Sequence, residues 1–202
     1  NLDVDGFLAH VRNSGANSAL IINPNNPTGG LIDHASIWHI LESLRHLDLV
    51  ILDESFMEFA GMDPLPSAQE KLCSFPNLMI VKSLSKAYGI AGLRLGYILT
   101  SNRDMVSTIR NDVPIWSINA LAQFFLEQMP AYKDQFLNSC TKVHSATQRL
   151  FKKLESIPYL RPTPSQGNFI LCKTINGCTS AQLTKRLFQE ERFLINDCSK
   201  KR

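Results

Sequence analysis

Short apolar runs bounded by turn-forming residues recur along the first half of the chain, at Ser18 to Ile22, Asp48 to Leu52, Leu78 to Val81 and Leu95 to Leu99. This pattern predicts buried strands. Between the first two, Ile37, Ile40, Leu41, Leu44 and Leu47 fall on one face of a helical period, and Asp33 stands at the N-cap position. Strand, helix and strand at this spacing imply a parallel sheet. Later the period lengthens: Phe136, Cys140, Val143, Thr147, Leu150 and Leu154 share one stripe of a long helix that contains no internal Pro or Gly. A Pro-rich turn (Pro158, Pro162, Pro164) follows, then a strand-like Asn168 to Cys172, a helix around Ala181 to Glu191, and a short final strand at Phe193-Leu194-Ile195. The pattern predicts a larger α/β part over 1–130 and a smaller α+β part over 131–202, divided near Pro130.

Composition narrows the class. With 44% hydrophobic and 19% charged residues in 202, the chain can bury a core. Its net charge of +3 is dispersed, and the one basic block is the terminal Lys200-Lys201-Arg202, so no nucleic-acid surface is expected. Five cysteines, Cys73, Cys140, Cys172, Cys178 and Cys198, show no metal-ligand spacing and read as reduced thiols of a cytoplasmic protein, with no metal site. No basic segment precedes an apolar one at the start, and no apolar run reaches the roughly 20 residues that span a bilayer. The first residue is not methionine and the chain stops just after a strand-like segment, so a piece of a longer polypeptide is expected. Trp38, Trp116, Phe124 and Phe125 lie at helical spacing and are expected in the core. The histidines, His10, His34, His39, His46 and His144, are expected on the surface.

Three polar segments fall just beyond the carboxyl ends of predicted strands, where open parallel sheets bind ligands. They are Asn23-Pro24-Asn25-Asn26-Pro27-Thr28-Gly29-Gly30, then Asp53-Glu54-Ser55-Phe56, then Ser83-Leu84-Ser85-Lys86 followed by Ala87 to Tyr97 with Gly89, Gly92 and Arg94. Alone, each has a commonplace explanation as a turn, a helix cap or a solvated lysine. Their order, spacing and strand-end placement together resemble the class I/II aminotransferases, pyridoxal 5′-phosphate (PLP) enzymes of fold type I. The resemblance implies a three-layer large domain with a mostly parallel sheet plus part of a small α+β domain. It also implies roles. Lys86 would carry PLP as an internal aldimine and then serve as the proton-transfer base. Asp53 would pair with the pyridinium nitrogen, Asn26 would donate to the ring O3′, and Ser83, Ser85 and Arg94 would hold the phosphate. These roles make chemical sense. A carboxylate keeps the ring nitrogen protonated, so the ring accepts electrons from the substrate Cα. A neighbouring cation such as Arg94 depresses the lysine amine toward the nucleophilic form, and a guanidinium grips two phosphate oxygens at once.

Leu52 to Phe56, Lys86 to Tyr97, Gly167 to Leu171 and Ile195 to Ser199 resemble the histidinol-phosphate aminotransferase and threonine-phosphate decarboxylase branch. Two positions depart from it. Phe56 stands where many relatives have a tyrosine to the ring O3′, which leans toward the decarboxylases. Asn196 stands where an arginine often precedes Asp-Cys, and an asparagine cannot supply that charge unless the motif is offset by a residue or Lys200 or Lys201 substitutes. The relatives' N-terminal phosphate loop, ring-stacking aromatic and later carboxylate-binding arginine have no counterpart in this chain, so on its own it is expected to bind PLP weakly. The resemblance implies an aminotransferase acting on an amino donor and a 2-oxo acid, with a decarboxylase of a phosphorylated amino acid and a non-catalytic domain as alternatives. It also implies a homodimer.

Overall fold

The structure, a computed structural model, describes residues 2–175 and 177–199. Helix α1 (Val4–Ser14) starts where the Asp3 carboxylate accepts from Gly6 N–H at 3.0 Å, and ends at Gly15, whose φ of 65° suits a left-handed cap. Strand β1 (Ser18–Ile22), helix α2 (His34–Ser43) and strand β2 (Leu49–Asp53) then form the expected unit, with Asp33 capping α2 through Ser36 N–H at 2.9 Å. That bond and the Ser36 hydroxyl hold the Asp33 carboxyl below its ordinary range. Strands β3 (Leu78–Ser83) and β4 (Gly96–Leu99) complete a sheet of order β1-β2-β3-β4. The first three strands run parallel and β4 runs antiparallel.

The strands reach further toward their carboxyl ends than the apolar runs suggest. β2 includes Asp53 and β3 includes Lys82 and Ser83, because ladder bonds such as Glu54 N–H to Val81 O (2.9 Å) continue past the last aliphatic residue. Pleating divides the sheet cleanly. Val50, Leu52, Leu78 and Ile80 face the core formed with Leu8 and Val11 of α1 and Ile37, Ile40, Leu41 and Leu44 of α2. Asp53, Val81 and Ser83 occupy the opposite, half-buried face.

Helix α3 (Leu84–Ala87) leaves β3 directly, and α4 (Arg103–Asp112), α5 (Ala120–Gln128) and the long α6 (Lys133–Glu155) follow β4. α6 carries the predicted stripe: Cys140 and Thr147 are buried, but Leu150 is exposed. The helix packs on the segment after β2, where Phe56, Phe59 and Cys140 form a second cluster with Phe136, Val143 and Phe169.

Several sequence expectations are corrected. Asn168 to Leu171 is not a strand; β5 (Leu160–Pro162) pairs antiparallel with β6 (Cys172–Thr174), and the preceding residues turn away to dock elsewhere. Phe193 to Ile195 is irregular: Arg192, at φ 59°, closes helix α7 (Ser180–Glu191), and no described strand lies alongside to pair. Trp116 and Phe124 are 92% and 62% exposed, outside the core, while Phe125 packs edge-to-face on Tyr88. Trp38 is half-buried and stacks on Phe75. His144 is half-buried, its Nδ1–H donating to Phe59 O at 2.9 Å. No helix among the described residues is long and apolar enough to cross a membrane.

Candidate active site at the carboxyl edge of the sheet

Backbone register brings the three polar segments to one edge. Ile22 pairs with Asp53 and Asp53 with Val81, so the residues following β1, β2 and β3 emerge side by side. Asn23 N–H donates to Asp53 O at 2.8 Å, and the Ser55 hydroxyl accepts from Ser83 N–H at 2.9 Å. On the far side Ser83 pairs with Gly96, and Leu84 N–H donates to Leu95 O at 3.1 Å, setting Arg94 beside the start of α3.

Each candidate side chain has a definite local cause. Asp53 ends β2 half-buried, and its Oδ1 accepts only from Ser55 N–H, at 2.9 Å, among the bonds of the described residues. Ser83 is the N-cap of α3, yet its hydroxyl makes no capping bond and stays available. Ser85 is buried in the first turn of that helix, and Lys86 follows with its side chain exposed. Arg94 adopts φ 57° and ψ 45°, a left-handed conformation that costs a non-glycine residue about 1 kcal/mol or more. Its Nη1 donates to Ala91 O at 3.0 Å, and the rest of the guanidinium is exposed.

Asn26 sits on a loop that is pinned at both ends. The buried Asn23 side chain accepts from Ile32 N–H at 2.8 Å and donates to Ile32 O at 3.3 Å, closing the loop. Gly29 N–H donates to Asn25 O, and both Asn23-Pro24 and Asn26-Pro27 are cis. Gly29, at φ 73°, leaves no room for a Cβ because the Ser165 side chain fills that space, and Gln166 N–H donates to Gly29 O at 2.8 Å. The turn at 165–167 therefore docks on the Asn26 loop, which is where the expected strand at 168 is lost. Asn26 itself is exposed, three residues past the Asn23 whose N–H meets Asp53 O.

Charge pairing separates these groups from their surroundings. Among the described residues the ion pairs are Arg45–Glu42, Lys82–Glu58 and Arg186–Glu190. Asp53, Lys86 and Arg94 take part in none of them. An acid, an amine, a guanidinium and two hydroxyls thus share one sheet edge without neutralising one another. Such a donor set suits a ligand that carries its own phosphate and ring nitrogen.

The sequence reading missed the residues underneath. Glu54 is fully buried, its Oε2 accepting from the Ser67 hydroxyl at 2.6 Å and its Oε1 from Ala68 N–H at 2.8 Å. Lys82, 8% exposed, binds Glu58 through Nζ to Oε1 at 2.6 Å. Burial raises the Glu54 carboxyl against its hydrogen bonds. Burial alone would lower the Lys82 amine, but the charge and hydrogen bond of Glu58 outweigh it and hold the amine above its ordinary value. Strand parity was the available signal, since both residues fall on the phase of Leu52 and Ile80.

The class I and II aminotransferase model matches residues 1–200. The chain belongs to the class I and II aminotransferase family. Its fold is fold type I, and PLP is the cofactor of this family. The chain is 34% identical over 200 residues to the CMP-5′-(3-aminopropyl)phosphonate synthase of Streptomyces rubellomurinus, covering 99% of this chain and 32% of that protein. It is 31% identical over 208 residues to the L-serine phosphate decarboxylase of Campylobacter jejuni, covering all of this chain and 53% of that one. A decarboxylase structure from Sulfurospirillum multivorans superposes with a TM-score of 0.90 at 26% identity, over 99% of this chain and 58% of that one. The histidinol-phosphate aminotransferase of Sinorhizobium meliloti, solved with PLP, superposes at 0.77 with 29% identity, over 96% and 52%. This aminotransferase-family chain therefore spans from a third to rather more than half of these proteins.

Proposed function

We propose that the chain is the cofactor-binding core of a PLP enzyme that acts at the Cα of an amino acid or amine, transferring its amino group to a 2-oxo acid. The observation that carries this reading is the set of unpaired charges of Asp53, Lys86 and Arg94 gathered at one sheet edge by the register of β1 to β4. PLP supplies an electron sink for the Cα electrons when bound. Everything else falls to the chain. Lys86 Nζ holds the cofactor and then takes and returns the proton at the substrate Cα. Asp53 keeps a proton on the ring nitrogen, Asn26 donates to the ring hydroxyl oxygen, and Ser83, Ser85 and Arg94 clamp the phosphate. Lys86 is the catalytic residue.

A second reading is decarboxylation of a phosphorylated amino acid by the same Lys86 and Asp53. It is supported by likeness to the serine phosphate decarboxylase and by Phe56, which offers no hydroxyl to the ring. Single-turnover analysis of the whole protein distinguishes the two: transfer releases the oxo compound matching the donor, a 2-oxo acid where the donor is an amino acid, and decarboxylation releases carbon dioxide and an amine. Two further inferences concern the whole protein. The exposed apolar run at Ile115, Trp116 and Ile118 suits the buried face of a homodimer, and the five free thiols suit a reducing compartment such as the cytoplasm.

A further inference from the structure

A row of polar side chains crosses the sheet beneath the site, on the core side. Lys82 pairs in register with Tyr97. Glu54 lies one residue past the Asp53–Val81 pair, next to Lys82, and Asn23 lies one residue past the Ile22–Asp53 pair, next to Glu54. Asn23, Glu54 and Lys82 are 1%, 0% and 8% exposed, on the phase that Ile21, Leu52 and Ile80 fill with hydrocarbon. Three polar residues therefore occupy the buried phase at the last layer before the site.

Stability does not account for this layer. Removing a carboxylate and an ammonium from water costs as much as their attraction returns, and a well-packed apolar pair of the same volume commonly does as well or better. What the polar side chains add is direction. Asn23 closes the loop that carries Asn26, through both polar groups of Ile32. Glu54 fastens the chain at Ser67 and Ala68. Lys82, the residue before Ser83, grips Glu58, which lies five residues after Asp53. The same stretch is held a second time by Ser55, whose hydroxyl accepts from Ser83 N–H.

We propose that the Lys82–Glu58 pair is a positioning device for the cofactor site, fixing the chain after Asp53 against the chain that enters Ser83, Ser85 and Lys86. The pair touches no ligand; it sets the separation between the acid that meets the ring nitrogen and the hydroxyls that meet the phosphate. A shift there disturbs both contacts together, because the pyridine ring fixes the separation between its nitrogen and the carbon that bears the phosphate arm. This inference rests on the functional reading above.

The test is titration of the whole protein with PLP, followed by quenching of intrinsic fluorescence well below the melting temperature of every variant. Lys82→Met, which keeps the volume and loses the charge, is expected to weaken PLP binding about tenfold, as removal of a supporting contact behind a ligand does. Lys82→Arg, which can still reach Glu58, is expected to recover most of that loss. A simple packing role would give no such recovery in affinity. Lys82→Met binding PLP as tightly as wild type, whatever its melting temperature, overturns the proposal, and so does an arginine variant no better than the methionine one. If Lys82→Met fails to fold, Glu58→Gln decides: weaker PLP binding supports the proposal and unchanged binding overturns it. A wild-type protein that takes up no PLP sinks the functional reading itself, a result separate from either of these.

Discussion

Two residues show how the site is held at the finest scale. Among the described residues Asp53 accepts only from its own loop, at Ser55 N–H, so its second oxygen is open for the proposed contact with the ring nitrogen. Asp53→Ala is expected to keep some bound cofactor, because the phosphate contacts survive, while turnover falls by several orders of magnitude; near-normal turnover would contradict its role. Gly29 is different, since it supports geometry and does no chemistry. Its φ of 73° and the Ser165 side chain in the place of a Cβ mean that Gly29→Ala strains the backbone and collides with the docked turn. A loss of about 2 kcal/mol or more is expected in denaturant unfolding, with weaker PLP binding through the Asn26 loop. The sequence revealed the segments holding Asn26, Asp53, Ser83, Ser85, Lys86 and Arg94, because turn residues follow apolar runs there. It did not reveal that Gly29 meets Ser165, a contact made across 136 positions of chain.

Among the elements, β1, α2, β2 and α6 were legible because an apolar phase runs through each, even though Leu20 of β1 and Leu150 of α6 end up exposed. β5 and β6 were not. A three-residue strand has no period to read, and its place depends on which partner offers a free ladder. The lost strand at 168 has the same explanation: Phe169 is spent on an edge-to-face contact with Phe56, 5.0 Å between ring centres, so that stretch packs as side chains and does not pair as backbone. β3 illustrates the reverse. Its polar end looked like loop, yet Lys82 continues the buried phase by carrying Glu58 with it. That pairing has a pH signature. The Lys82 amine is held above its ordinary value of 10.5, so its stabilising contribution is complete below the unfolded value and is lost as pH rises through the folded one. Melting temperature should therefore fall on the alkaline side, and Lys82→Met should show a lower plateau with less of that fall. An identical alkaline slope in both proteins would contradict the assignment.

For the whole molecule, a parallel sheet with one antiparallel edge strand accounts for where the chemistry gathers. Parallel strands leave by the same edge, so three loops distant in sequence become neighbours without any long-range design in the loops themselves. Trp116 and Phe124, expected inside from their spacing, lie outside, because periodicity reports that an apolar face exists and not what covers it. The proposed chemistry depends on Lys86 being the amine that holds PLP. The most direct measurement is borohydride reduction of the whole protein with PLP, followed by peptide mapping of the fixed cofactor. One labelled peptide is expected, carrying the cofactor on Lys86, with no label in Lys86→Ala; label on any other lysine, or retained in that variant, would rule Lys86 out.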